Sequence, residues 1–243
     1  MMTLDSFKSA RSVLSGVINE TNLIYSPAFS ASCGNNVYLK PENMQVTGAY
    51  KIRGAYFKIS TLSEEEKALG LITASAGNHA QGVALSAARL GIRSVICMPA
   101  GAPISKVEAT RGYGAEVVLV PGVYDDAAAE AERLTKEQGY TFAHPFNDPL
   151  VIAGQGTIGL EILEQLGWQT PDYIALSVGD GCTIAGAWKG LKDLYAAGFI
   201  DRLPRLISVQ AEGCCPLNRA IETGKPWEPM AENTLADSIA VGV

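Results

Sequence analysis

The sequence predicts an α/β fold, because short apolar runs alternate along it with alanine-rich amphipathic segments. The runs expected to form strands are residues 71–74, 94–98, 116–120, 173–178 and 205–209. The segments expected to form helices are residues 78–90, 105–111, 124–138, 153–166 and 183–197. Strands that alternate with helices of this length pair in parallel through right-handed crossovers, so we expect parallel twisted sheets flanked by helices.

Individual elements carry further local signals. Ser63 and Glu66 have the spacing of a capping box and predict a helix start. A first helix is expected to begin at residues 3–5, with Leu4, Phe7, Leu14, Val17 and Ile18 on one face. The runs 94–98 and 116–120 are continuously apolar, which favours strands covered on both faces.

Two interruptions in the pattern predict a division into two domains. One lies near Leu71, where a charged stretch ends, and the other lies at residues 144–150, which contain two prolines. We therefore expect a small α/β domain at residues 71–150. Residues 1–70 and 151–243 would together form a larger, discontinuous domain.

Composition excludes several classes of protein. The 243 residues include 19 Lys and Arg against 25 Asp and Glu, a net charge of −6 that argues against a general nucleic-acid binder. With 47% hydrophobic and 18% charged residues, the chain can bury a sizeable core, and it has no apolar run long enough to predict a membrane span. The five cysteines and two histidines lack zinc-site spacing, which favours no metal and reduced thiols in a cytoplasmic protein.

The segment Gly154–Gly159 matches the pattern G-x-G-x-x-G of dinucleotide-binding turns. The apolar run before it is only four residues long and follows Pro149, which is poor context for such a site. The favoured interpretation is that these small residues let a helix lie close to its neighbours.

Two other turns are better placed for binding. Gly179, Asp180, Gly181, Cys182 and Thr183 follow a predicted strand and open a helix, so their amides either hold a phosphate or form an ordinary turn. An aspartate is unfavourable beside a bound anion unless its side chain points away. Residues 75–79 have the same position after another strand, and they either bind a carboxylate or cap the helix through Ser75 or Asn78.

The run KPENMQVTGAYKIRGA at residues 40–55 resembles the hallmark of pyridoxal-phosphate (PLP) enzymes with the tryptophan synthase β-chain fold. Within them it is most similar to the threonine and serine dehydratases, with Ala49 where the family usually has Ser or Thr. The resemblance continues through residues 75–81, 97–99, 106–114 and 146–156. From Gly179 onward the chain is also similar to threonine synthases.

The resemblance implies a role for each site residue. Lys51 would carry PLP as a Schiff base, Asn78 would contact the ring hydroxyl, and the larger domain would hold the cofactor. The phosphate would be bound by Gly179, Asp180, Gly181, Cys182 and Thr183. The substrate carboxylate would be bound by Ser75, Ala76, Gly77 and His79.

The implied activity is β-elimination from L-threonine or L-serine, giving a 2-oxo acid and ammonia, in a protein that forms a homo-oligomer, expected to be a dimer. Serine racemases of the family carry a second Ser where this chain has Ala76, which disfavours racemisation. The family also continues beyond residues 234–242, so we expect the chain to lack the C-terminal part of the fold, including the residue beside the pyridine nitrogen, as a fragment, a truncated form or one half of a split protein. A threonine synthase-type enzyme and a catalytically incomplete PLP-fold binding module remain the alternatives.

Overall fold

A computed structural model describes residues 2–242. The helices of this part of the chain are α1 (Leu4–Leu14), α2 (Pro27–Cys33), α3 (Ile52–Ser60), α4 (Glu64–Leu69), α5 (Asn78–Arg89), α6 (Ile104–Gly112), α7 (Tyr124–Gln138), α8 (Pro149–Gln165), α9 (Cys182–Ala196) and α10 (Pro216–Thr223). The strands are β1 (Ile24–Tyr25), β2 (Tyr38–Leu39), β3 (Leu71–Ala74), β4 (Ser94–Pro99), β5 (Glu116–Val120), β6 (Thr141–Phe142), β7 (Tyr173–Ser177) and β8 (Arg205–Val209). Across residues 2–242, none of the helices has the length and apolar character needed to cross a bilayer.

The strands confirm the predicted α/β class. A four-stranded sheet has the order β5-β4-β3-β6, and each of its neighbouring pairs is parallel. Strands β7 and β8 form a second parallel pair, with Tyr173 opposite Arg205. The short strands β1 and β2 pair antiparallel, and the sequence analysis did not predict them.

One strand differs from its expected environment. Strand β4 is buried along almost its whole length, as its continuous apolar run predicts. Strand β5 lies at the edge of the sheet, and its residues are exposed or half-buried. The predicted cover on both faces is present only in part, with Val117 packed against one apolar cluster and Val118 and Val120 against another.

Both predicted helix starts are present. The Ser63 hydroxyl accepts from the Glu66 amide at 3.2 Å, and the Glu66 carboxylate accepts from the Ser63 amide at 2.8 Å. Helix α1 begins at Leu4 as expected but ends at Leu14. Val17 and Ile18 therefore lie beyond the helix and are not part of its apolar face.

Three apolar clusters form the core. Two of them surround the four-stranded sheet, and the first combines Ala55 and Ile59 of α3 with residues of α5, β3 and β4. The third joins α1, α8 and α9 with β7. The predicted domain boundaries, between residues 70 and 71 and between residues 150 and 151, stay predictions. Helix α3 lies before the first boundary and packs against α5, which lies after it.

Helix α8 contacts two neighbouring helices through glycine. A Cβ on Gly154 would lie 2.6 Å from the Cα of Gly54 in α3, and one on Gly156 would lie 2.7 Å from the backbone of Gly186 in α9. The G-x-G-x-x-G segment thus lies inside a helix and not at a strand–helix turn. The packing interpretation is confirmed, and the dinucleotide interpretation is contradicted.

Candidate active site

Lys51 lies immediately before α3, where three helices meet. Its carbonyl oxygen accepts from the Gln155 side chain of α8 at 3.4 Å. The same oxygen lies 3.3 Å from the position that a Cβ on Gly82 of α5 would take. The Lys51 side chain is 12% exposed, so its amine projects from a fixed backbone into a largely closed region.

A buried ion network anchors the segment around Lys51. Arg53 is fully buried, and its guanidinium contacts Glu42 at 2.7 Å and Glu161 of α8 at 2.7 Å. Lys40 reaches the same Glu161 carboxylate at 2.8 Å. Burial opposes ionisation of Glu161, but Arg53 and Lys40 outweigh it and hold the pKa of that carboxyl below its usual range. The charged residues of the 40–55 motif therefore hold Lys51 against α8.

The turn at residues 179–183, which we call the cofactor turn, connects β7 to α9. Gly181 has a φ of +78°, and the space where a side chain would project from it is open. The Thr183 hydroxyl is buried without a hydrogen-bond partner in the described structure. Burial raises the pKa of the Cys182 thiol to about 12, so this thiol stays protonated.

Asp180 brings the cofactor turn to Lys51. Its carboxylate forms an ion pair with the Lys51 amine through one oxygen. The other oxygen accepts from the Cys182 amide at 2.9 Å. Burial opposes the charge on Lys51, but Tyr50 and the paired Asp180 carboxylate outweigh it and raise the pKa of the amine. The aspartate side chain thus turns into the helix start and not away from it.

The turn at residues 75–79, which we call the substrate turn, connects β3 to α5. The Ser75 hydroxyl accepts from the Gly77 amide at 3.2 Å, and Gly77 occupies the helix-capping position without a side-chain cap. The alternative that Ser75 or Asn78 simply caps the helix is therefore wrong. Ala76, Gly77 and Asn78 are half-buried, which leaves this turn accessible at its tip.

His79 lies on the buried side of the substrate turn. It is buried, and its Nε2 lies 3.3 Å from the Ala143 carbonyl oxygen, a geometry that fits the neutral ring donating from Nε2. Burial, together with the nearby Lys51 charge, lowers the pKa of His79 to about 3. His79 is therefore neutral near pH 7 and supplies no cationic charge to the turn.

Tyr50, which lies beside Lys51, and Tyr124, which feels the charges of Lys51 and Asp180, were not predicted as site residues. The Lys51 amine lies 5.7 Å from the centre of the Tyr50 ring. Burial is the main cause that raises the pKa of Tyr50, and likewise that of Tyr124 at the start of α7. Tyr50 stands within the 40–55 motif and could have been singled out, whereas nothing in the sequence around Tyr124 indicates this position.

The residues present fit pyridoxal phosphate. A primary amine projects from a fixed backbone, as a Schiff-base lysine requires. Open space at Gly181, the start of a helix and the unpartnered Thr183 hydroxyl suit a phosphate group. Asn78 is half-buried at the start of α5, and its side-chain amide can form a hydrogen bond to a polar group. Within the cofactor turn, the Asp180 carboxylate opposes an anion.

Comparison with known proteins gives the same picture. The chain is 45% identical to an L-threonine ammonia-lyase of Thermotoga maritima over 99% of its residues, and it spans 58% of that relative's length. Its structure is similar to a threonine deaminase described as from T.th., with a TM-score of 0.88, 35% identity and coverage of 99% of this chain and 76% of the other. Maize serine racemase gives a TM-score of 0.88 with 31% identity, over 98% of this chain and 70% of the racemase.

A family model described as "Pyridoxal-phosphate dependent enzyme" matches residues 14–243. The resemblance seen in residues 40–55 is thereby confirmed, and so is the expected cofactor. The roles of the individual site residues stay predictions. On the match along nearly its whole length, the chain belongs to the family of pyridoxal-phosphate dependent enzymes.

Proposed function

We propose that the protein is a PLP-dependent lyase that acts on a β-hydroxy amino acid, L-threonine or L-serine, and forms a 2-oxo acid and ammonia. The observation that carries this proposal is the position of Lys51, whose amine contacts the cofactor turn and whose backbone lies beside α5, the helix of the substrate turn. Identity of 45% to an L-threonine ammonia-lyase supports the same reaction.

The residues of the cofactor turn would hold the phosphate group. Gly179, Gly181, Cys182 and Thr183 supply backbone amides at the start of α9, and Thr183 adds its hydroxyl. Asn78 would hold the ring hydroxyl from the start of α5. When bound, PLP supplies an electron sink for the α-carbon of the substrate.

Lys51 and the substrate turn would supply the remaining chemistry. The amide groups of Ser75, Ala76, Gly77 and His79 would bind the substrate carboxylate and orient the α-carbon. The Lys51 Nζ would take the α-proton in its neutral form. The β-hydroxyl would leave as water, and hydrolysis of the released product would yield the 2-oxo acid and ammonia.

Two alternative reactions fit the site less well. Racemisation needs a proton donor on the opposite face from Lys51, and Ala76 offers no titratable group at that part of the turn. A threonine synthase-type enzyme needs a second anion site for a phosphorylated substrate. Lys106 lies beside Gly77, but its amine is paired with Asp237 at 2.6 Å and is neutralised there.

The proposal is tested by 2-oxo acid formation from L-threonine and from L-serine with PLP added. The assay should use this chain and, where the gene encodes further residues, the whole gene product. We expect the whole product to be the more active, and Lys51→Ala to abolish the reaction. Phosphate release from O-phosphohomoserine without 2-oxo acid from either amino acid would favour the threonine synthase alternative. PLP binding without either reaction would favour a binding module.

We also propose that the protein forms a dimer. Strands β1 and β2 and helix α2 expose large apolar side chains, namely Ile24, Tyr25, Phe29, Tyr38 and Leu39. A patch of this kind is typical of a protein–protein interface. Light scattering should give twice the chain mass, and Phe29→Glu should reduce it to one chain mass.

A cytoplasmic location is proposed on the state of the thiols. All five cysteines lie among the described residues and are free, with Cys214 and Cys215 adjacent. Free thiols are typical of a reducing compartment. Cell fractionation with an antibody to the protein tests this location, and recovery in an exported fraction would contradict it.

A further inference from the structure

Asp180 is the feature that the proposed function does not explain. It stands in the middle of a turn assigned to a phosphate, yet it is itself an anion. Its side chain is 15% exposed and reaches inward to two positive groups. One oxygen pairs with the Lys51 amine, and the other accepts the Cys182 amide at 2.9 Å.

These two groups are needed by the cofactor. The Cys182 amide lies at the start of α9, where the partial positive charge of the helix favours an anion. The Lys51 amine must be neutral and unpaired to attack an aldehyde, whereas Asp180 favours its charged form. A single carboxylate therefore engages both the phosphate-binding amide and the reactive nitrogen.

The turn retains binding capacity that Asp180 does not use. The Thr183 hydroxyl is buried, with the residue 5% exposed, and it has no hydrogen-bond partner in the described structure. A side chain on Gly181 would meet no atom within 4 Å. Burying a hydroxyl without a hydrogen-bond partner costs free energy. The Thr183 hydroxyl therefore favours an acceptor from a bound group, because the Asp180 carboxylate does not accept from it.

We propose that Asp180 is an internal anion that competes with the cofactor phosphate for the cofactor turn and must swing out of it when the cofactor binds. The inference rests on the proposed binding of PLP at Lys51. Two anions at one helix start repel each other strongly in a partly closed site. The protein should therefore bind PLP less tightly than a variant with a neutral side chain at this position.

The test compares Asp180→Asn with the unchanged protein. Asparagine keeps an oxygen that can accept the Cys182 amide, so the fold of the turn is retained while the charge is removed. The matched control is Asp193→Asn, which removes another aspartate that pairs with a lysine, in the last turn of the same helix. Asp180→Ser, which also keeps an acceptor, serves as a second variant if the amide variant does not fold.

A comparison of two aldehydes distinguishes competition between Asp180 and the phosphate from an effect on the Lys51 amine alone. PLP carries the phosphate, and pyridoxal lacks it. For each aldehyde, the dissociation constant is obtained from the fraction of Lys51 labelled after borohydride reduction, measured by mass spectrometry at increasing aldehyde concentration. We expect Asp180→Asn to tighten PLP binding by about tenfold and pyridoxal binding by much less, because only the phosphate meets the carboxylate.

Inorganic phosphate provides a readout without any aldehyde. It should raise the melting temperature of Asp180→Asn more than that of the unchanged protein or of Asp193→Asn. Unchanged PLP affinity in Asp180→Asn, or equal gains for both aldehydes, would overturn the competition while leaving the proposed function intact. Labelling at some lysine other than Lys51 in all variants would overturn the proposed function and this inference with it.

Discussion

The cofactor turn and the substrate turn share one local design but differ in what fills them. Each follows a parallel strand, contains glycine and opens an alanine-rich helix. In the substrate turn the Ser75 hydroxyl accepts the Gly77 amide, and the nearby Lys106 amine is paired with Asp237. In the cofactor turn a carboxylate accepts the Cys182 amide and also pairs with Lys51. The same order of strand, glycine-containing turn and helix is thus left open to a ligand in one case and already neutralised in the other.

The surroundings of the two turns differ as well. The substrate turn follows β3, which is buried within the four-stranded sheet. The cofactor turn follows β7, which belongs to a two-stranded sheet with exposed Tyr173, Ile207 and Val209. The cofactor turn is therefore positioned chiefly by helix contacts, and the substrate turn by a strand. Changes to helix packing should affect the first turn more than the second.

The largest effect is expected at Lys51, which contacts the cofactor turn directly. Lys51→Ala should abolish the pyridoxyl label that borohydride fixes on the protein, because the nitrogen that carries it is removed. Mass spectrometry of the digested protein measures the label. Lys58→Ala should keep the label. Lys58 lies in α3 and, like Lys51, pairs with an aspartate. A full label in Lys51→Ala would contradict the assignment.

The two helices that open at the turns should differ in their tolerance of a methyl group. On Gly186 of α9, a Cβ would overlap the Ile152 carbonyl oxygen and lie 3.0 Å from the Gly156 Cα. On Gly82 of α5, the nearest atoms would be 3.3 Å away. Gly186→Ala should therefore reduce the free energy of unfolding by about 1–3 kcal/mol. Gly82→Ala should change it by less than about 1 kcal/mol, since alanine is the better helix former.

Denaturant titration measures both free energies of unfolding. Gly112 of α6 provides a baseline, because a side chain there would meet no atom within 4 Å. Equal losses in Gly186→Ala and Gly82→Ala would show that the backbone contact between α8 and α9 does not determine packing.

Acid should destabilise the substrate turn through His79. The pKa of this buried ring is lowered from 6.5 to about 3 in the folded chain, so between these values only the unfolded chain takes up the proton. Stability should fall as the pH decreases through this range, by at most about 1.4 kcal/mol per pH unit from this residue. His79→Gln should remove that part of the slope. Thr183→Val, in the cofactor turn, should leave it unchanged.

The smallest effect on folding is expected at Asn78. Because Gly77 occupies the capping position and Asn78 caps nothing, Asn78→Ala should change the free energy of unfolding by less than about 0.5 kcal/mol. The visible absorbance of the PLP-loaded protein should shift, since the ring hydroxyl would lose its partner. An unchanged spectrum together with unchanged turnover would remove Asn78 from the site.

The sequence predicts the fold where its signals are local. Apolar runs give strands β3, β4, β5, β7 and β8, and the capping box gives the start of α4. The two-residue strands β1, β2 and β6 are too short for any periodicity to show. The apolar run of β5 predicts cover on its faces but carries no information about whether the strand lies at the edge of the sheet.

The site is predictable to the extent that its parts lie in one motif. The 40–55 run identifies Lys51, and the glycine turns identify the rest of the candidate residues. The pairing of Arg53 with Glu161 joins residues 108 positions apart, and no single segment shows it. The inward direction of Asp180 depends on the charge of Lys51, which the chain brings there only when α3 and α9 pack on α8.

The glycine contacts of α8 have a consequence for how this site withstands mutation. Gly154 fixes α3 just after Lys51, and Gly156 fixes α9 just after the cofactor turn, in both cases backbone against backbone. Helix α8 thus sets the distance between the Lys51 amine and the phosphate-binding amides. Side chains elsewhere in the core can change in size without altering the separation of these two groups. Conversely, a methyl group added to Gly154 or Gly156 of α8 would displace the Lys51 amine relative to these amides, although it contacts neither of them.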